Sequence, residues 1–276
     1  MQEFHGRVAA ITGAGSGIGQ ALSLLLARRG CALAIADVDG DGLAETARLT
    51  RAIGVETTTE ALDVADRDAV HAWADRVVDD HGTVNLIVNN AGVALAATVE
   101  GMAYEDYDWL MGVNVGGVVH GTKAFLPHLK AAGEGHVVNI SSVFGLLGIP
   151  SQSAYNAAKF AVRGFTEALR IELDIEGCGV SATAIHPGGI KTNIARNARI
   201  DESVIELGQD PQDAKQGFEN LFITSPKRAA KVIVKAIEKD KRRAMVGPDA
   251  HLINAAAKLP PSVYQRVIAR GASRQL

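Results

Sequence analysis

Short apolar runs alternate along this chain with longer stretches whose apolar positions recur at helical spacing, and the alternation predicts its elements. Residues 7–12, RVAAIT, read as a buried strand, and residues 20–29 as an amphipathic helix closed by Gly30. The pair then repeats. A strand at 32–36 precedes a helix at 42–52, a strand at 55–62 precedes a helix at 66–80, and an apolar strand follows at 84–88. A long helix is predicted over 104–129, a strand over 136–141, a helix over 151–177 after Pro150, and a further strand over 180–186. Strands alternating with helices of this length build parallel βαβ units with right-handed crossovers, so the expected fold is α/β, a doubly wound parallel sheet flanked by helices.

Composition narrows this picture. With 276 residues, 47% of them hydrophobic and no Pro/Ser-rich linker, the chain fits one large domain spanning 1–276. A net charge of -3 and a pI near 6.2 give no electrostatic footprint for nucleic acid. The two cysteines, Cys31 and Cys178, each adjoin a glycine at a strand start and are expected to be reduced. No apolar run reaches the roughly 18 residues of a transmembrane helix and no signal peptide precedes the first strand, so a cytoplasmic protein is expected. Past Gly247 a tail, 248–276, carries an apolar stripe of Val263, Tyr264, Val267 and Ile268 beside Arg266 and Arg270. Docking on its own or a neighbouring subunit is preferred to membrane contact.

The candidate chemistry gathers at strand ends. The first strand runs into GAGSGIG, where Gly13, Gly17 and Gly19 supply a tight turn, close backbone approach to a pyrophosphate and close helix packing. The spacing is GxxxGxG rather than GxGxxG, and the strand–turn–helix context points to a Rossmann-type dinucleotide site. Asp37, ending the second strand, can accept hydrogen bonds from adenosine ribose hydroxyls, and its charge repels the extra phosphate of NADP. The turn carries Ser16 and no Arg or Lys to pair with that phosphate, so NAD is favoured over NADP. The competing role for Asp37 is turn or helix capping, which Asp39 and Asp41 suit equally. Thr12, Asp37, Asp63 and Asn89 are expected to line one crevice, with NNAG, 89–92, beside it.

Asn114 interrupts an apolar and small-residue stretch, MGVNVGGVVHG, and is either a satisfied core amide or functional. Ser142 follows a strand, at the end where open α/β sheets bind ligands. Tyr155 and Lys159 stand four apart on the next helix and share a face, so the ammonium can lower the phenol pKa from its usual ~10. Thr192, in HPGGIKTN, can hydrogen-bond a carboxamide such as that of nicotinamide; His186 there reads as structural. No zinc-type spacing occurs, and no GxSxG surrounds Ser142.

With TGAGSGIG, NNAG, Asn114, Ser142, YNAAK and PGGIKT in order, the chain resembles the short-chain dehydrogenase/reductase family over roughly residues 5–250. The resemblance implies a tetrad. Tyr155 would be the general acid/base, Lys159 would lower its pKa and hold the nicotinamide ribose, Ser142 would hold the substrate oxygen, and Asn114 would support a water-linked proton relay. Cofactor contacts would come from Gly13, Ser16, Gly17, Ile18, Gly19, Asp37, Asp63, Val64, Asn90, Ala91, Gly92, Tyr155, Lys159, Pro187, Gly188, Ile190 and Thr192. Ser141 competes with Ser142, but the spacing from Ser142 to Tyr155 matches the family. The implied activity is NAD(H)-dependent interconversion of a secondary alcohol and a ketone. The alternatives are an NADPH-dependent carbonyl reductase and a non-catalytic dinucleotide sensor. Val93, Ala94, Leu95, Val143, Phe144, Leu146 and Leu147 suggest a hydrophobic substrate, steroid-, retinoid- or lipid-like. Segment 190–225, with Phe218, Leu221 and Phe222, reads as a lid. The resemblance also implies a homodimer or homotetramer built on the two long helices.

Overall fold

The structure, a computed structural model, describes residue 1 and residues 3–208, 210–211 and 222–272. Seven parallel strands form the central sheet: β1 Val8–Thr12, β2 Ala32–Asp37, β3 Thr57–Ala61, β4 Leu86–Asn89, β6 Gly135–Ile140, β7 Val180–Pro187 and β9 Arg243–Val246. Their order is β3-β2-β1-β4-β6-β7-β9. The chain reverses its direction of travel across the sheet between β1 and β4, which opens a crevice at the carboxyl ends of those strands. Central β1 and β6 are buried at every position and predominantly apolar, β6 carrying His136 and Asn139 among its apolar residues, whereas β3, at the edge, is buried only at Thr57 and then alternates half-buried and exposed positions.

Helices α1 Gly17–Ala27, α2 Gly40–Ile53, α3 Arg67–His81, α4 Tyr104–Met111, α5 Gly117–Ala131 and α6 Ser153–Glu176 cover the two faces, joined by a helix at Pro226–Glu238. On one face Leu22 and Leu26 of α1 and Ile233 and Ile237 of the Pro226–Glu238 helix pack on Ile11, Leu33 and Ile35. On the other, Trp73 of α3 meets Phe125 of α5 edge to face, ring centroids 5.0 Å apart, over Ala10, Ile87 and Val137. That geometry adds about 1 kcal/mol to the area it buries. Asp39 and Asp66 cap α2 and α3 by accepting hydrogen bonds from Gly42 and Ala69 amides, and left-handed Gly54 and Gly82 end the same helices. A third cluster, Leu95, Leu110, Ala154, Tyr155 and Ala158, presses the start of α6 against α4.

Three features differ from the sequence expectation. The helix expected over 104–129 is not uniformly α: Gly112–Gly116 forms a π-helical turn between α4 and α5, with the Gly117 amide donating to the Gly112 carbonyl. Glycines on both sides of Asn114 let the backbone widen there, and the Asn114 side chain is held by Val93. β9 and a two-stranded parallel sheet, β5 Leu95–Ala96 with β8 Arg199–Ile200, have no counterpart in the prediction, because two to four residues cannot display a period. Within the expected lid the described residues form β8 and a 3₁₀ turn, Glu202–Leu207, and the segment closes through a bridge between Ile190 and Thr224. Phe218 and Leu221 lie outside the described residues. The tail forms two helices, Pro248–Ala256 and Pro261–Ala272; Val263 and Val267 of the second are exposed.

Candidate active site

The site begins at the turn after β1. Gly13 has a φ of 65°, and a Cβ there would lie 2.8 Å from the Ala91 Cα, so the turn passes directly under the NNAG segment. Asn90 fixes that contact: its Nδ2 donates to the carbonyls of Thr12 and Gly13, both at 2.9 Å. A Cβ on Gly19 would fall 2.1 Å from the Gly13 carbonyl oxygen, so its role is packing of α1 against the turn, and it does not line the cleft. Asp37 reaches the turn from β2. Its Oδ2 accepts from the Gly15 amide at 2.7 Å and its Oδ1 from the Asp39 amide at 2.9 Å. It therefore organises the turn while lining the cleft, and the capping of α2 falls to Asp39.

A cleft of about 670 Å³ runs from here across the sheet. Gly13, Ser16, Gly17, Ile18, Asp37, Asp63, Val64, Asn90, Ala91 and Gly92 line one part. Ser142, Tyr155, Lys159, Pro187, Gly188, Ile190 and Thr192 line the other. Two of the four strand-end groups expected in the crevice are corrected by the structure. Thr12 is buried, its Oγ1 accepting from the Asn90 and Ala91 amides. Asn89 is buried too and donates to Thr122 and Asn139, starting a polar chain that Asn139 extends to Thr166. Both point away from water because polar groups inside a two-sided sheet must pair with each other.

Ser142, Tyr155 and Lys159 converge at the far end. Ser141 also lines the cleft, but its Oγ donates to the Lys159 carbonyl at 2.8 Å, tying β6 to α6. The Ser142 Oγ accepts from the Phe144 amide at 3.1 Å and is near enough to the Tyr155 phenol to lower its pKa. The Lys159 Nζ donates to the Ile140 carbonyl at 3.1 Å and lies 5.4 Å from the Tyr155 ring centroid. Burial pushes the Tyr155 phenol up to about 12, the nearby Ser142 hydroxyl pulling the other way, and lowers Lys159 to about 8. The sequence expectation of a depressed phenol is thus not met in the protein alone: desolvation of the buried oxygen is the largest influence on it, and burial lowers the neighbouring lysine as well.

His186 has an ordering role. Its Nδ1 donates to the Ser142 carbonyl at 2.9 Å, and burial lowers its pKa to about 4, so it stands neutral behind the serine. Asn114 is completely buried and outside the cleft lining; its Oδ1 accepts from the Val93 amide and its Nδ2 donates to the Val93 carbonyl, each at 2.9 Å. The side-chain amide is therefore committed to holding the Gly92–Val93 wall.

Of the seven residues expected near the substrate, Val93, Val143 and Phe144 line the cleft; Ala94, Leu95, Leu146 and Leu147 are core. Trp109, Val113, Ile194 and Ile253 supply apolar lining that the sequence reading missed, and Phe222, expected in the lid, lines the cleft as well. Trp109 and Val113 share a helix face, a signal the four-residue spacing carried. Arg199 stacks 3.7 Å over the Trp109 ring while its guanidinium donates to Asp106. Among the described residues no group of three His, Cys, Asp or Glu side chains is placed to hold a metal.

Residues 7–203 match the family model described as short chain dehydrogenase. The chain belongs to that family. A Mycobacterium tuberculosis protein named as the oxidoreductase SadH is 50% identical over 275 residues, 99% of this chain and 98% of its own. A short-chain dehydrogenase/reductase from Burkholderia phymatum, solved in complex with NAD, is 33% identical with a TM-score of 0.86, covering 96% of each chain. Carveol dehydrogenase from Mycobacterium avium, also solved with NAD, is 25% identical with a TM-score of 0.74, over 85% of this chain and 91% of that one. The chain is thus an oxidoreductase of a family whose cofactor is a nicotinamide dinucleotide. Its glycine turn fits such a group: Gly13 and Gly17, both at positive φ, line the cleft without a side chain, and the α1 N-terminus, with no acidic residue in its first turn, faces the cleft.

Proposed function

We propose that the chain interconverts a secondary alcohol and a ketone using NAD(H), with Tyr155 as the general acid/base. The observation that carries this reading is the meeting of Ser142, Tyr155 and Lys159 in the wall of a cleft whose opposite end holds Asp37. A bound nicotinamide supplies the hydride acceptor in oxidation and the donor in reduction. In oxidation Tyr155 as phenolate takes the hydroxyl proton as the carbinol carbon loses its hydride, leaving a carbonyl. In reduction the phenol returns that proton to the carbonyl oxygen. Ser142 holds the reacting oxygen beside the phenol, and His186 holds the Ser142 backbone. Lys159 supplies the positive charge that favours the phenolate, and with Asp63, Val64, Asn90, Ile190 and Thr192 it holds the dinucleotide. Asp37 selects NAD because its carboxylate repels a 2′-phosphate. Asn114 acts by fixing the Gly92–Val93 wall.

Val93, Trp109, Val113, Phe144, Ile194 and Phe222 favour a hydrophobic alcohol or ketone. Exposed Phe160, Ile171 and Ile175 on α6 favour a homo-oligomer built on that helix. No helix among the described residues is long and apolar enough to cross a membrane, and we assign the protein to the cytoplasm. The test follows NADH absorbance over a panel of secondary alcohols and ketones with each dinucleotide. Turnover with NAD(H) is expected from the wild type, and Tyr155→Phe should still bind NADH while losing turnover. Near-normal kcat in that variant would overturn the role of Tyr155, and wild-type preference for NADPH in kcat/KM would overturn that of Asp37.

A further inference from the structure

The family match ends at residue 203, yet the C-terminal helix Pro248–Ala256 sends two side chains, Asp249 and Ile253, into the cleft lining. Asp249 meets the turn that follows β7. Its Oδ2 accepts from the Gly189 amide at 2.6 Å. The carbonyl of the same residue, Gly189, accepts from the amides of Ile223 at 3.1 Å and Thr224 at 3.0 Å, where segment 190–225 returns to the sheet. One residue is therefore held from both sides, its N–H by the C-terminal helix and its carbonyl by the base of the lid.

The space around the carboxylate is cut to fit it. A Cβ on Gly188 would lie 2.0 Å from the Asp249 Oδ2, and one on Gly247 2.4 Å from its Oδ1, so a side chain at either position would collide with it. Oδ1 is buried with no hydrogen-bond partner in the protein. A buried carboxylate oxygen left without a donor is destabilising, so this placement is not one that packing alone would favour.

We propose that Asp249 is a positioning residue. It clamps the Pro187–Gly188–Gly189 turn and the lid base in one geometry, so that the C-terminal segment sets the affinity of the nicotinamide end of the cleft for its dinucleotide. The inference rests on the reading of this cleft as the dinucleotide site. Because Asp249 acts through Gly189, its loss shows in dinucleotide binding before it shows in the chemical step.

The experiment is a double-mutant cycle on the full chain, reading NADH Kd by fluorescence titration, KM for the dinucleotide, and kcat. Gly188→Ala should weaken NADH binding about tenfold or more, because the added methyl group displaces the carboxylate. Asp249→Ala should also weaken it about tenfold, with the effect in KM larger than that in kcat. Asp249→Asn, which keeps an acceptor for the Gly189 amide, should recover most of the loss. With Asp249→Ala already present, Gly188→Ala should add less than about twofold, since the carboxylate atoms nearest the methyl group are gone. Equal damage from Gly188→Ala in both backgrounds, or unchanged NADH binding in Asp249→Ala, overturns the proposal. Wild-type protein that binds neither NADH nor NADPH overturns the underlying reading of the cleft instead.

Discussion

Replacing Lys159 with methionine should raise the pH at which alcohol oxidation switches on by about two units. The substitution keeps most of the side-chain volume and removes a cation that stands 5.4 Å from the Tyr155 ring centroid. At an effective dielectric constant of about 20, unit charges about 5–6 Å apart interact by roughly 3 kcal/mol, equivalent to about two pH units. Burial already holds the phenol near 12 and the lysine near 8, so the ammonium is half charged at about pH 8 and carries nearly its full charge only below about pH 7. The sign follows directly. An adjacent cation favours the phenolate, so its removal moves the rising limb of the oxidation profile to higher pH, and at neutral pH kcat should fall about 100-fold. The assay is kcat against pH at saturating dinucleotide, which removes any loss of ribose binding from the comparison. Tyr and Lys titrate as a coupled pair, and the displaced limb belongs to that pair. A limb displaced by less than about half a unit, in an enzyme that Tyr155→Phe inactivates, would refute the electrostatic role of Lys159.

Asp37→Ala should raise the NADPH to NADH ratio of kcat/KM by about tenfold or more, since a carboxylate about 5 Å from a 2′-phosphate costs about 3 kcal/mol per phosphate charge; an unchanged ratio would show that Asp37 only braces the glycine turn. Ser142→Ala should lower kcat by about 100-fold or more, the range of an oriented hydrogen-bonding group at the reacting oxygen. Ser141→Ala should instead lower thermal stability, by about 1 kcal/mol for the lost bond to the Lys159 carbonyl, and the reverse pattern in kcat and Tm would exchange the two serines. Acid should weaken the fold through His136 and His186, which burial lowers to about 3 and about 4. Their folded pKa values are depressed, so stability is complete above the unfolded value near 6.5 and falls by ~1.4 kcal/mol per pH unit for each histidine as pH drops toward 4. Around His186, Arg163 and Arg243 strengthen this effect and Glu167 weakens it. Urea titrations at pH 7 and pH 5 should show a smaller difference for His186→Gln than for the wild type; equal differences would assign the acid sensitivity elsewhere.

What the sequence determined by itself is the positions of the inner strands and the order along the chain in which their ends present chemistry. Strands buried on both faces are predominantly apolar, and helices on a sheet show a 3.6-residue period, so β1, β2, β4, β6 and β7 were legible to within a residue or two. The glycine turn, Asp37, Ser142 and the Tyr155–Lys159 pair were legible for a related reason, since each needs a fixed residue type at a fixed distance from a strand or helix end. Tertiary structure decided which polar groups face the cleft and which satisfy the interior. Asn89, Thr12 and Ser141 occupy strand ends or positions next to them, just as Asp37 and Ser142 do, but their partners come from residues distant in sequence: Thr122 and Asn139, Asn90, and Lys159. No local pattern encodes such a pairing. The same holds for the sign of the Tyr155 shift. Spacing brings the lysine near the phenol, but only packing around both groups fixes how much water they lose, and here desolvation is the larger effect. Asp249 is the extreme case, a carboxylate 60 residues from the Gly189 amide it holds, whose place in the cleft depends on two glycines that leave it room.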